Sequence, residues 1–192
     1  GRECLEGWKK VLRNILDRGL RRVLMLVQDD FSGLSKLTQS LFPQSKIQLC
    51  TVHMRRNVVS HLSKEDSKTF NHRLHSIFHT FSKEQASTDF DKLCQSYHSN
   101  YPTFMEALLR KKDHYLHFLD IPQKLQKTFL STNPIEIINR TFEKIRLNNS
   151  GYFQSKDDLE FKFQLAIDNL HRGSWKNPAG HTYANLDTIL RL

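Results

Sequence analysis

The chain has 192 residues, 38% of them hydrophobic and 26% charged, with a formal net charge of +9. That length holds a domain with a sizeable core, and the composition excludes an intrinsically disordered chain. The excess of 29 Lys and Arg over 20 Asp and Glu favours a polyanionic partner without specifying one.

Cys4, Cys50 and Cys94 are too few and too scattered for a disulfide framework, which predicts a reducing, cytoplasmic compartment. No apolar run reaches the length of a membrane span, and no signal peptide opens the chain. The sequence starts inside an apparent helix, as expected of a piece of a longer chain.

Leu5, Trp8, Leu12 and Ile15 recur at helical spacing, and Gly19 ends that helix. Val23–Val27 is a short continuous apolar run, expected to be a strand buried on both faces. Gln28-Asp29-Asp30 closes it and Ser32-Gly33 turns the chain. Leu34, Leu37 and Leu41 mark a short helix, and a second strand is expected at Ile47–Cys50. A helix from about His53 to Leu62 follows, with Val58, Val59 and Leu62 expected inward. This helix–strand–helix–strand–helix rhythm predicts a parallel α/β layer.

From Ser63 to about Thr128 the strand signals cease. Phe70, Leu74, Ile77, Phe78 and Phe81 form one helical stripe, and Phe90, Leu93, Cys94 and Tyr97 another. Phe104, Leu108, Tyr115 and Leu119 suggest a third helical stretch. The expected organisation is therefore an α/β part over residues 1–62, a helical insertion over 63–130, and a helical part over 131–192. In the last part Ile135, Ile138, Phe142 and Ile145 form one apolar stripe. Residues 148–151 form a loop, and Leu159, Phe163, Ala166, Ile167 and Leu170 mark a final helix. The tail after Trp175 is weakly patterned.

Asp29 stands at the carboxyl end of a strand, where open α/β sheets place ligands, and its oxygens suit a hard divalent cation. A turn-capping role explains the same position, and Asp30 is the alternative ligand. Asn133, Pro134 and Glu136 fit the cap, first and third positions of a helix, so Glu136 reads either as a capping carboxylate or as a metal ligand at a helix mouth. Cys50 and His53 have C-x-x-H spacing, but a zinc site needs two further donors that the spacing does not supply. A structural hydrogen-bonded pair, and a nucleophile couple for which no orienting third group is evident, are the other readings of that spacing. Arg55, Arg56 and Asn57 follow at once, and Lys124, Lys127, Asn139, Arg140, Lys144 and Arg146 lie around Glu136. Arginine suits phosphate through its bidentate fork.

Taken together these segments resemble a known family. Gln48-Leu49-Cys50-Thr51-Val52-His53-Met54-Arg55-Arg56-Asn57 is similar to the Q-x-C-x-x-H-x-x-R-N signature of Mutator-family bacterial insertion-sequence transposases. Thr132-Asn133-Pro134-Ile135-Glu136-Ile137-Ile138-Asn139 resembles their T-N-x-x-E-x-x-N motif, and Asp29 with Gly33-Leu34 their D-x-x-x-G-[LF] motif. Trp8, Arg18-Gly19-Leu20, Phe153 and Trp175 fit the same pattern in order.

The resemblance implies an RNase H-like α/β catalytic core with a helical insertion between its second Asp and its Glu. It implies two Asp and one Glu holding two Mg²⁺ or Mn²⁺ ions, with Asp29 as the second Asp and Glu136 as the Glu. DNA, as element ends and target, is the implied partner. The first Asp belongs to an earlier strand, outside these residues. The chain by itself is therefore expected not to cut DNA, and an uncovered strand edge is expected to invite a homodimer. The rival readings are a non-catalytic DNA-binding module of the same fold and a zinc-stabilised interaction domain built on Cys50 and His53.

Overall fold

The computed structural model describes residues 4–80, 82–130, 132–173, 175–176 and 187. The expectation for Phe81 and that for most of the tail lie outside the described residues. The chain divides into two compact units, Gly1–Ser131 and Thr132–Leu192.

The first unit opens with α1 (Leu5–Asp17), β1 (Met25–Gln28), α2 (Leu34–Leu41), β2 (Lys46–Leu49) and α3 (Thr51–His61). Gly19, at φ 100°, ends α1. Its N–H donates to the Leu16 carbonyl and that of Leu20 to the Ile15 carbonyl, the paired reverse bonds of a left-handed helix stop. The strands are parallel, with Met25 opposite Lys46 and Gln28 opposite Leu49. A parallel pair needs a crossover, and α2 supplies it. The result is a helix-rich α/β mixture with a two-stranded sheet.

Both strands are displaced from their expected bounds. Val23 and Leu24 precede β1, and the middle of β1, Leu26 and Val27, is only half-buried. The buried end residue is polar. Gln28 donates through Nε2 to Ser35 Oγ and accepts from Thr38 Oγ1, which fastens α2 to the sheet. Hydrophobicity alone located the strand but not its end, because these hydrogen bonds substitute for apolar burial.

Residues 63–130 carry α4 (Lys64–Phe78), α5 (Lys83–Tyr97), α6 (Pro102–Arg110), α7 (Lys112–Leu116), a 3₁₀ turn (His117–Asp120) and α8 (Gln123–Phe129). No strand occurs there among the described residues. Ser63 and Ser82 cap α4 and α5 by accepting from the N–H groups of Asp66 and Gln85. The expected third stretch breaks into α6, α7 and the turn. Phe70, Leu74, Phe90, Leu93, Met105, Leu116 and Phe118 are fully buried in one continuous core with Leu49, Met54 and Val58. Each such side chain contributes roughly 1.5–3 kcal/mol through burial. The helices thus share a core with β2 and α3. Val59, expected inward, is 61% exposed: Met54, Val58 and Leu62 take the buried stripe, and Val59 falls beside it.

Two groups join β2 to the helices. Gln48 is fully buried. Its Nε2 donates to the carbonyls of Tyr115 and Leu49, and its Oε1 accepts from the Phe118 N–H. His117 donates from Nδ1 to the Ile47 carbonyl at 2.7 Å. Burial lowers the His117 pKa from 6.5, opposed by the bond to Ile47 and reinforced by Lys83. A depressed histidine contributes stability that is complete above 6.5 and lost as pH falls through its lowered folded value. Unfolding stability is therefore expected to decline below pH 6.5 in the wild type and to decline less steeply in His117→Asn, as denaturant titrations across that range would show.

The second unit contains α9 (Asn133–Asn148) and α10 (Lys156–Arg172). Phe142 stacks on Phe163 at 4.1 Å, and Phe153 meets the same ring edge-on at 6.1 Å. Ser155 caps α10 by accepting from the Asp158 N–H. Ile138, Phe142 and Ile145 are half-buried as the stripe predicts, whereas Ile135 is 56% exposed. Ile135 stands in the first turn of α9, beyond the aromatic cluster that covers the middle of the helix.

Candidate metal and nucleic-acid site

The parallel register builds the site. Since Gln28 faces Leu49, the next residues, Asp29 and Cys50, leave the carboxyl ends of neighbouring strands side by side. The Cys50 N–H extends the ladder by donating to the Gln28 carbonyl at 2.8 Å. Cys50 is also the residue before α3, so His53, one helical turn on, returns to the same side. His53 Nδ1 lies 2.9 Å from Asp29 Oδ1 and 3.2 Å from Cys50 Sγ. A carboxylate oxygen can only accept, so the contact with Asp29 is a hydrogen bond from the ring N–H. Arg56 Nη1 stands 3.4 Å from Nε2. The Asp29 side chain is 49% exposed and that of His53 is 31% exposed, whereas Cys50 is buried.

Asp30 turns away and pairs with Lys111, so Asp29 is the carboxylate directed at Cys50 and His53. Burial, followed by the nearby Asp30 and Cys50, pushes the Tyr115 phenol above its ordinary value. Glu136 lies in the second unit, half-buried in the opening turns of α9. That helix starts at Asn133, which makes Glu136 its fourth residue rather than the third of a capping box.

Arg55, Arg56 and Asn57 are exposed on α3, while Asn139, Arg140, Lys144 and Arg146 are exposed on α9. Arg146 directs its fork at Glu143, donating from Nε at 2.8 Å and also from Nη2. It is thus a weaker phosphate candidate than its neighbours on α9. Lys124 and Lys127 are exposed on α8.

Sequence reasoning missed two positioning contacts. Gln48 fixes β2 from behind the site, although it opens the Q-x-C-x-x-H segment and so was visible in it. Thr51, within the same segment, bonds the Leu130 carbonyl twice, from its N–H at 3.1 Å and from Oγ1 at 2.8 Å. The chain therefore leaves α8 from beside the residue that follows Cys50. No local sequence pattern signals that pairing.

The arrangement offers one hard oxygen donor, one imidazole and one thiol at a strand end, with basic residues on the adjoining helix. A family model described as "Transposase, Mutator family" matches residues 1–176. The chain belongs to the Mutator family of transposases. It is 28% identical over 189 residues to the transposase for insertion sequence element ISRM5 of Rhizobium meliloti (strain 1021), covering 98% of this chain and 46% of that protein. It is 26% identical over 153 residues to the transposase for IS905 of Lactococcus lactis subsp. lactis (strain IL1403), covering 80% and 39%. It is 25% identical over 185 residues to the transposase for IS1081 of Mycobacterium tuberculosis (strain ATCC 25618 / H37Rv), covering 96% and 44%. The chain thus spans less than half the length of these Mutator-family relatives. No described helix is long and apolar enough to cross a membrane.

Proposed function

We propose that the chain is part of the catalytic core of a DNA transposase, an RNase H-like core in which Asp29 and Glu136 are two of the metal-holding carboxylates. The motif resemblance implies one metal site for both residues. The observation that carries the reading is Asp29 itself: its carboxylate stands half exposed at a strand end beside Cys50 and His53, in a chain whose family model covers both Asp29 and Glu136.

The donor chemistry fits Mg²⁺ or Mn²⁺. Both residues are carboxylates, and Asp29 is half exposed at a strand end. Bound there, two such ions would supply Lewis-acid stabilisation of the attacking and leaving oxygens of a phosphodiester. The chain's own residues do the rest. His53 orients the Asp29 carboxylate through its ring N–H, Gln48 and Thr51 hold the strand end and helix start, and Arg55, Arg56, Arg140 and Lys144 neutralise DNA phosphates. In the whole protein the chemistry would be strand cleavage at element ends followed by strand transfer to target DNA.

DNA binding by the chain itself is expected to be weak, salt-sensitive and largely independent of sequence. Each neutralised phosphate adds about 0.9 to the slope of log affinity against log salt for duplex DNA. Arg55→Ala with Arg56→Ala is expected to reduce that slope by about 1–2, measured by fluorescence anisotropy over a salt series. An unchanged slope would remove α3 from the DNA surface.

A further inference from the structure

The chemistry around Asp29 is mixed, which two hard cations do not require. Asp29, Cys50 and His53 form the one group of three metal-capable donors among the described residues, with ligand atoms all within 4.8 Å of one another. We infer that Cys50 Sγ, His53 Nδ1 and Asp29 Oδ1 make a site for one thiophilic divalent cation of the Zn²⁺ class. The ligand spacing supports this. Zinc bonds thiolate at about 2.3 Å and imidazole or carboxylate at about 2.0–2.2 Å, so donors around one ion lie roughly 3–4 Å apart. The 2.9 Å and 3.2 Å separations from Nδ1 already approach that range.

The scaffold is rigid where it must be. Cys50 is held by the ladder bond to Gln28 and by burial, and Thr51 is clamped to Leu130. Only modest side-chain rotation would aim all three donors at one point. Three protein ligands with a water in the fourth position is an ordinary zinc arrangement, and thiolate with imidazole selects zinc over magnesium. The C-x-x-H spacing alone lacked a third ligand. The third is Asp29, which lies 21 positions upstream and arrives through strand register. Binding displaces the thiol proton to solvent, and the single ring proton of His53 shifts from Nδ1 to Nε2, the neutral tautomer that ligates through Nδ1. The site shares Asp29, and the His53 that orients it, with the proposed hard-cation chemistry, and a His53 that ligates through Nδ1 no longer donates to Asp29. The site's existence does not depend on the chain being a nuclease.

The test uses Co²⁺ as a spectroscopic substitute for Zn²⁺ on the 192-residue chain. Cys4→Ser and Cys94→Ala leave Cys50 as the sole thiol, and circular dichroism checks the fold of each variant. The expected result is a thiolate-to-cobalt charge-transfer band, saturating at one ion per chain and displaced by Zn²⁺. Cys50→Ser should abolish the band, and Asp29→Asn and His53→Gln should each weaken affinity at least about tenfold, as loss of a direct ligand should exceed the smallest outer-shell effects. The same titration on the chain with all three cysteines covers the case in which the double background fails to fold. A folded chain that shows no charge-transfer band overturns the proposal. So does a band whose affinity is unchanged in both Asp29→Asn and His53→Gln. Loss of cleavage without loss of the cobalt band bears on the transposase reading alone.

Discussion

Asp29→Asn, placed in a full-length family member carrying this sequence, is expected to lower DNA strand cleavage by at least about 10²–10³-fold while DNA binding is retained. Removing a single hydrogen-bond donor to a developing charge costs roughly that much in other enzymes, and a metal-holding carboxylate stabilises more charge than one donor does. The Asn side chain keeps the shape and can still accept from His53, but it loses the negative charge that holds a divalent ion. Glu136→Gln should act to the same extent. The two together should be little worse than either alone, because groups acting as one unit are not additive. Single-turnover nicking of supercoiled DNA with Mg²⁺ or Mn²⁺ measures this. The 192 residues alone should show no such nicking, since they carry two of the three carboxylates that the family chemistry implies. Robust nicking by the chain alone would show that two carboxylates suffice.

Gln48→Leu should be the most damaging change to the fold near the site, at roughly 2–4 kcal/mol. Leucine is close in size, so packing is largely kept. What is lost is hydrogen bonding by a fully buried side chain that accepts from the Phe118 N–H and donates to two carbonyls. Each buried group left without a partner costs about 1–3 kcal/mol. The Phe118 N–H is the most exposed to this cost, because a carbonyl has a second lone pair and an N–H has one proton. Gln48→Glu is expected to destabilise as well, by placing a charge where desolvation is severe. Urea titration gives both values. A Gln48→Leu midpoint close to that of the wild type would mean the network is dispensable. Because β2 carries Cys50 at its end, this variant should also weaken Co²⁺ binding even under conditions where it stays folded.

The sequence makes local features legible and leaves long-range ones hidden. The stripes of α4 and α5 follow from one period of Phe and Leu, and the stop at Gly19 follows from its tolerance of positive φ. Asp29 was recognisable as a strand-end carboxylate because Val23–Val27 is apolar and the polarity changes abruptly after it. The pairing of Asp29 with His53 was not, since it depends on the register of Gln28 against Leu49, which no local pattern encodes. Val59 shows a related gap: α3 has two apolar neighbours at 58 and 59, and only packing against α4 decides which is buried. The beginning of α9 one residue early moves Glu136 out of the capping position, a shift that cap preferences alone do not resolve. Gln48 was visible as the first letter of a motif, but its task became evident only when Tyr115 and Phe118 came to lie against it.

The central claim is that Asp29 and Glu136 serve the same metal ions, and paramagnetic broadening by Mn²⁺ tests it most directly. Amide resonances of the isotope-labelled chain are recorded during addition of substoichiometric Mn²⁺. The account predicts that signals around Asp29 and around Glu136 broaden together at the same Mn²⁺ concentration. Asp29→Asn should reduce the broadening at both segments, and Glu136→Gln should do likewise. Broadening confined to the residues around Asp29, with those around Glu136 unaffected at every concentration, would contradict it.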